Sequence, residues 1–175
     1  SFKSLSYAKR KANELQINNI DFIQGDILDL ESIDRKFDII ESVGVLHHMD
    51  NPFKGWKILI SCLNDDSLML IGLYSEKARQ YITQIKKKIN KLKLQTNYKN
   101  IIEFRKDLIE NNNDQWNYIK SSPDFFTVSG VRDLLFHVQE HQFTISKIKK
   151  YLDKLKLIFL GFDDQLVREN FKEIY

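Results

Sequence analysis

The sequence predicts an α/β fold in which two hydrophobic strands flank a helix. Residues 67–74 are apolar at nearly every position and residues 37–43 at four of seven, and we expect both strands to be covered on both faces. Between them, Asn51 or Asp50 followed by Pro52 is a helix start, and the residues that follow are apolar at helical spacing. The crossover in such a unit is almost always right-handed, so we expect the two strands to run parallel.

The composition is that of a folded globular protein, with 42% hydrophobic and 12% aromatic residues. A net charge of +3 is too weak to indicate nucleic-acid binding by itself. The single cysteine, Cys62, excludes a disulfide framework and fits a reducing compartment. No apolar run reaches the roughly 18–20 residues of a membrane span. We therefore expect a cytoplasmic protein without membrane or nucleic-acid partners.

The elements before the strand at 37–43, the central strand, are a helix and a short strand. Residues 1–16 repeat apolar side chains at spacings of three and four, which indicates a helix. This helix starts at residue 1 without a capping residue, so we expect the chain to begin inside a larger domain. Residues 20–25 are predicted to form a short strand that leads into Asp26.

After the strand at 67–74 the sequence becomes basic and helical. Residues 77–106 hold ten Lys and Arg residues and one acid, on a pattern that predicts a basic helix. Further helices are predicted at 129–138 and from Thr144 or Ser146 onward, with a last strand at 156–162. This division predicts a core at 1–75, a helical insertion at 76–155, and a C-terminal strand and tail at 156–175.

Polar side chains follow the central strand at its carboxyl end. The segment reads Phe-Asp-Ile-Ile-Glu-Ser-Val-Gly-Val-Leu-His-His-Met-Asp-Asn-Pro over residues 37–52. Ligands of open α/β sheets bind outside the carboxyl ends of the strands. The stretch from Ser42 to His48 is therefore the first candidate for a ligand site.

Several segments of the sequence, taken in order, resemble one known family. They are Phe-Ile-Gln-Gly-Asp-Ile at 22–27, the segment at 37–52 quoted above, and Leu-Met-Leu-Ile-Gly-Leu-Tyr-Ser at 68–75. They resemble the class I S-adenosylmethionine-dependent methyltransferases. Residues 4–12 and 124–144 are similar to a bacterial group of that family often joined to tetratricopeptide repeats.

The resemblance implies a fold, a reaction and a cofactor. The fold is a partial Rossmann-like sheet, mostly parallel, with a helical insertion. The reaction is methyl transfer from S-adenosylmethionine to an unidentified acceptor, a small molecule or a peptide, without a metal. The family's glycine-rich turn, its ribose-binding acid and its closing antiparallel strand have no counterpart in this sequence. We therefore expect an incomplete, inactive fragment that binds the cofactor weakly or not at all.

The resemblance also assigns roles to residues at the strand ends. It implies that the Asp26 carboxylate accepts a hydrogen bond from the adenine amino group, with the Ile27 amide next to the ring. It implies that Ser42, Val43 and Gly44 lie beside the methionine portion of the cofactor, where Gly44 permits close approach. The structural alternatives are that Asp26 only caps the following turn and that Gly44 only ends the strand.

Two histidines are the candidates for acid–base chemistry. His47 or His48 would orient the acceptor or remove its proton, since imidazole titrates near neutral pH. The alternative is that one packs under the next helix and the other is solvated. Four further residues are candidates for contact with the acceptor: Tyr74, Arg79, Arg132 and His137.

Three other functions remain open from the sequence. His137, Glu140 and His141 match His-x-x-Glu-His, a zinc-peptidase pattern that needs a helix and a third ligand. The basic helix at 77–106 would suit a non-catalytic module that binds polyanions. A remnant of a nucleotide-binding oxidoreductase is disfavoured, because the Leu-His-His-Met-Asp segment at 46–50 is not part of that fingerprint.

Overall fold

The computed structural model describes residues 2–111 and 114–164, without the side chains of residues 114 and 115. The chain forms two compact units. Of the described residues, the first unit comprises 2–46 and 51–72. The second comprises 47–50, 73–111 and 114–164.

The first unit contains the predicted strand–helix–strand arrangement. Helix α1 (Phe2–Glu14) is followed by a 3₁₀ helix (Ile27–Ser32), strand β1 (Phe37–Val43), helix α2 (Pro52–Ser61) and strand β2 (Leu63–Gly72). β1 and β2 form a parallel two-stranded sheet. Asn51 caps α2, because its Oδ1 accepts from the Lys54 amide at 3.1 Å. The predicted α/β fold and its parallel strands are confirmed.

Helix α2 packs on one face of this sheet only. Trp56 is buried on α2, and its Nε1 donates a hydrogen bond to Sδ of Met69 on β2 at 3.2 Å. On the other face, Ile39 pairs with Leu68 in the register, and the Ile39 side chain is 68% exposed. The prediction that both faces are covered is therefore wrong for the part of the chain that the structure describes. An apolar sequence shows what a strand can bury, not whether a helix is there to bury it.

Residues 64–66, which precede the predicted strand at 67–74, lie inside β2 as an irregularity. Phe37 pairs with Leu63 and Ile39 with Leu68, so β2 carries extra residues at this point. Asp66 takes up the bend with a φ of +57°. β2 then ends at Gly72, two residues earlier than the predicted strand.

Two predicted strands do not form. Residues 20–25 and 157–162 adopt no regular secondary structure. A strand is stable only when a neighbour satisfies its backbone N–H and C=O groups, and no other described segment pairs with either one. Helix α7 ends at Leu155, and Lys156 terminates it in the left-handed conformation at a φ of +57°.

The second unit is helical. It contains α3 (Gln80–Lys91), α4 (Tyr98–Glu110), α5 (Asp114–Lys120), a 3₁₀ helix (Pro123–Phe126), α6 (Val128–Phe136) and α7 (Ile145–Leu155). Its core consists of buried apolar residues from α3, α4, α5 and α6, among them Ile82, Ile85, Ile89, Phe104, Leu108, Ile119, Val131, Leu134 and Leu135. No helix of the described residues is long and apolar enough to cross a membrane.

The predicted basic helix at 77–106 is two helices. α3 ends at Lys91, and Lys93 takes a left-handed φ of +52° that a helix cannot continue through. α4 starts at a new cap, since Asn97 Oδ1 accepts from the Asn100 amide at 2.9 Å. The later helix, α6, stops at Phe136, so Val138, which was predicted to be part of it, is 97% exposed.

Candidate functional site

A non-helical segment, residues 137–143, lies along two other parts of the second unit. The amide of His141 donates to the carbonyl of His47 at 2.7 Å. The amide of Phe143 donates to the carbonyl of Tyr74 at 2.8 Å, and the Phe143 carbonyl accepts from Glu76 at 3.0 Å. The backbone of this segment is therefore fixed against residues that follow both strands of the sheet.

These backbone bonds bring four aromatic rings together. The rings of His47 and Tyr74 stack with 3.7 Å between their centroids, and those of His48 and His137 stack at 3.9 Å. His47 and His48 meet edge to face at 4.3 Å. The His47 side chain is 1% exposed, whereas His48 is only partly buried. Of the two histidines, His48 is therefore the one that solvent and ligands reach.

The hydrogen bonds of His48 define its neutral form. Its Nδ1 lies 2.9 Å from the carbonyl oxygen of Gln139. Because a carbonyl only accepts, Nδ1 carries the hydrogen, and the lone pair of the neutral ring is on Nε2. The Gln139 side chain is fixed in turn, since its Nε2 donates to the carbonyl of Met49 at 3.2 Å. Nε2 of His48 is therefore the nitrogen that can take a proton.

A buried carboxylate anchors the same segment to helix α3 and the turn before it. Arg79 donates to both oxygens of Glu140, at 3.0 and 2.7 Å, and Lys86 Nζ lies 2.7 Å from Oε2. Burial by itself raises the pKa of Glu140, but the hydrogen bonds and charges of Arg79 and Lys86 outweigh it and lower the pKa from 4.5 to about 2. The Arg79 guanidinium also lies 3.8 Å from the ring centre of Tyr74.

A cleft of about 640 Å³ opens between α3 and this segment. Its apolar part includes Ile89, Leu135 and Phe136. Its polar part is formed by side chains that carry N–H or O–H groups and by Glu140: Thr83, Lys86, Lys87, Asn90, Thr96, His137, Glu140, His141 and Gln142. The cleft lies within the second unit.

The structure brings together five of the predicted site residues, all in the second unit: His47, His48, Tyr74, Arg79 and His137. Arg132 does not join them. It is exposed on α6, and no hydrogen bond, ion pair or ring contact among the described residues links it to this cluster. The sequence indicated Lys86 only as part of the basic helix at 77–106 and did not indicate Gln139. The partners of both residues are more than 50 residues away along the chain.

The zinc-peptidase hypothesis is wrong on two counts. Residues 137–141 are not helical, so His137 and His141 are not one helical turn apart. Glu140 is occupied by Arg79 and Lys86. Within the described ranges, no group of three His, Cys, Asp or Glu residues is placed to hold a metal ion.

The predicted cofactor residues lie in the first unit, at and near the ends of its elements. Asp26 is exposed and caps the 3₁₀ helix, with Oδ1 accepting from the Leu28 amide at 2.9 Å. Ile27 is partly buried at the first position of that helix, and Val43 ends β1 with an exposed side chain. Ser42 is buried, and its Oγ has no hydrogen-bond partner in the described part of the chain. Gly44 has a φ of +78°, and apart from its two chain neighbours no described residue has an atom within 4 Å of where a Cβ would stand.

The parallel sheet with its crossover helix, and the open glycine at the end of β1, are features of α/β domains that bind a ligand at the ends of their strands. A family model described as "Methyltransferase domain" matches residues 1–127, so the chain belongs to that family. Residues 128–175, which include the segment 137–143, lie beyond the matched part.

The chain is also similar to a protein of a Synechococcus strain whose description is "uncharacterized protein". The two are 26% identical over 160 residues. The matched part is 85% of this chain, and the chain spans about 37% of the length of that relative.

The residues at the end of β1 fit S-adenosylmethionine, the methyl donor of this family. The positive φ of Gly44 and the open space beside it leave room for a ligand to approach the backbone. Ser42 offers a buried hydroxyl that lacks a partner among the described residues. Asp26 uses one carboxylate oxygen in its cap, so the other is available to an N–H donor.

Proposed function

We propose that the protein containing this chain transfers a methyl group from S-adenosylmethionine to a small-molecule or peptide acceptor. The observation that carries the proposal is the family match over residues 1–127. The open backbone at Gly44 supports it, because a glycine stands where a ligand approaches the end of the strand. The single cysteine, Cys62, supports a cytoplasmic location as part of this proposal.

The cofactor, when bound, supplies an electrophilic methyl group on a sulfonium ion. In our proposal the second oxygen of Asp26 accepts a hydrogen bond from the adenine amino group, and the Ile27 amide lies beside the ring. Ser42, Val43 and Gly44 contact the methionine portion. These residues orient the cofactor and exclude water from it, which is the larger part of what a protein contributes to such a transfer.

The aromatic cluster of the second unit handles the acceptor in our proposal. His48 accepts a proton on Nε2 if the acceptor must lose one, because its Nδ1–H is held by the Gln139 carbonyl. His137 stacks on the His48 ring and limits its rotation. Tyr74 stacks on His47, Arg79 lies against the Tyr74 ring, and the two form the fixed side of the cluster.

Calorimetric titration of S-adenosylmethionine into the protein that contains this chain tests the cofactor part. Asp26→Asn keeps an acceptor for the Leu28 amide but removes the charge, and a hydrogen bond to a charged group contributes about 1.5–3 kcal/mol. We expect affinity to fall about tenfold or more. Asp29→Asn is the matched control, because Asp29 is an exposed acid of the same 3₁₀ helix.

The two variants separate the possible results. If Asp26→Asn loses affinity for S-adenosylmethionine and Asp29→Asn does not, the result supports the proposed contact of Asp26 with the adenine amino group. Equal losses would mean that only the net charge of the 3₁₀ helix matters, and the role of Asp26 would be wrong. A protein that binds neither S-adenosylmethionine nor S-adenosylhomocysteine would overturn the proposed function as a whole.

A further inference from the structure

The cleft beside α3 has the dimensions of a site for a small molecule. Its volume of about 640 Å³ lies within the roughly 300–1,000 Å³ usual for such pockets. One part is apolar and consists of Ile89, Leu94, Leu135, Phe136 and Val138. The remaining lining is polar, so a ligand that fits it has an apolar body and at least one polar group.

The polar lining favours acceptor groups on the ligand. Lys86 and Lys87 have only N–H donors, and Asn90 adds an amide. Among the described residues that line the cleft, Glu140 is the only acid. Its two oxygens already accept hydrogen bonds from Arg79, Lys86 and the Gln142 amide, the last at 3.2 Å. The carboxylate therefore has little capacity left for a cation.

The charges around the cleft also favour acceptor groups on the ligand, and in particular a negative charge. Arg79 and Lys86 share the single negative charge of Glu140, and Lys87 adds a further positive charge at the rim. The pKa of Glu140 is lowered to about 2, so this carboxylate stays ionised at neutral pH and the excess of positive charge is fixed. A ligand that carries a negative charge is therefore favoured over a neutral or cationic one.

His137 joins the cleft to the candidate base. Its side chain lines the cleft, and its ring stacks on His48 at 3.9 Å. A ligand in the cleft is thus separated from His48 by one imidazole ring. This is the arrangement expected for an acceptor whose anionic end is held at a distance from its reacting atom.

We propose that the cleft between α3 and the segment 137–142 binds the anionic group, a carboxylate or a phosphate, of a small-molecule methyl acceptor. That the ligand is the methyl acceptor rests on the proposed methyl-transfer function. The preference for anions rests on the residues that line the cleft alone. Lys87 is the residue that we expect to set this preference. It is exposed on α3, and no ion pair of the described residues involves it.

Ligand-observed NMR titration tests the preference with four probes. Benzoate and phenyl phosphate present a carboxylate and a phosphate on the same ring, benzyl alcohol is the neutral comparison, and an oligoglutamate peptide represents an acidic macromolecule. We expect one or both of the aromatic anions to bind at least about tenfold more tightly than benzyl alcohol. The order of their two affinities shows whether the site prefers a carboxylate or a phosphate. Equal binding of the anions and the alcohol would overturn the proposal, and so would preferential binding of the peptide.

Two lysine variants test the location of the site. We expect Lys87→Ala to weaken anion binding about tenfold, since it removes a charged donor from the lining. Lys106→Ala removes the same charge from an exposed position on α4 that does not line the cleft, and should change the affinity less than about twofold. Equal effects of the two variants would mean that the net charge, and not the cleft, attracts the anion.

The cofactor titration distinguishes this inference from the proposed function. Anion binding that depends on Lys87, in a protein that binds no S-adenosylmethionine, would support the anion site in the cleft and overturn the proposed methyl transfer. S-adenosylmethionine binding without a preference for anions would leave the methyl transfer and overturn the cleft assignment.

Discussion

Replacing Glu140 by glutamine removes the charge that Arg79 and Lys86 share and keeps the shape of the side chain. The three side chains are only 4%, 11% and 19% exposed, so water screens their interaction little. The amide of glutamine would also place N–H groups against two cations. We therefore expect Glu140→Gln to destabilise the second unit strongly at neutral pH.

The pKa of Glu140 gives the size and pH range of the effect. A carboxyl that titrates at 4.5 when unfolded and at about 2 when folded contributes about 3 kcal/mol to stability. Because the folded value is the lower one, this contribution is complete above about pH 4.5. It is lost as the pH falls from about 4.5 towards 2, where the wild-type carboxyl also becomes neutral.

Urea unfolding followed by tryptophan fluorescence measures this difference. The sequence has two tryptophans, and a Trp56→Phe background leaves Trp116 of the second unit as the only one. We expect Glu140→Gln to lose about 3 kcal/mol at pH 7 and much less near pH 2. Glu103→Gln is the control, because its ion pair with Lys99 is exposed and should contribute at most about 1 kcal/mol.

A difference in the free energy of unfolding between wild type and Glu140→Gln that stayed constant from pH 7 to pH 2 would refute the reasoning. It would mean that the variant loses packing and not charge. A loss at pH 7 no larger than that of Glu103→Gln would refute it as well, since the buried ion pairs would then contribute no more than an exposed one.

Substitutions at three further positions test the second unit by the same assay. A Cβ on Gly130 would stand 2.2 Å from the Asp124 carbonyl oxygen, so Gly130→Ala should cost about 1–3 kcal/mol, and an unchanged stability would contradict this close approach. Ile85 is fully buried, so Ile85→Ala should cost about 2–5 kcal/mol and Ile85→Val about 0.5–1.5; equal losses would mean that the core does not sense the volume. Asn97→Ala removes the cap of α4 and should cost about 1 kcal/mol, whereas Asn97→Asp should keep most of it; a cost from Asp equal to that from Ala would argue against capping.

The sequence was sufficient for the elements that depend on neighbours in the chain. The Asn51–Pro52 helix start and the parallel strands on either side of α2 were predicted, because capping and crossover rules act over short distances. The segments at 20–25 and 156–162 have the composition of strands but no partner among the described residues. Pairing is a property of two segments, and the sequence of one of them does not show whether the other is there.

The candidate site was predicted in part for the same reason. His48 and Tyr74 follow the strands, and position alone marks them as candidates. The contact of Glu140 with Arg79 joins residues 61 apart, and nothing near either one indicates the other. The His-x-x-Glu-His pattern even suggested different partners, because it assumes a helix that ends one residue before it, at Phe136.

The contacts that hold the segment 137–143 also have a consequence for the order of folding. The bond from His48 to Gln139 joins residues 91 apart, and that from Gln139 to Met49 joins residues 90 apart. Closing so long a loop costs less entropy after α3, α4 and α6 have packed and shortened the effective path between its ends. The segment should therefore dock late, after the rate-limiting step. Substitutions in it would then accelerate unfolding and leave the folding rate nearly unchanged, so the lifetime of the aromatic cluster is set by these last contacts.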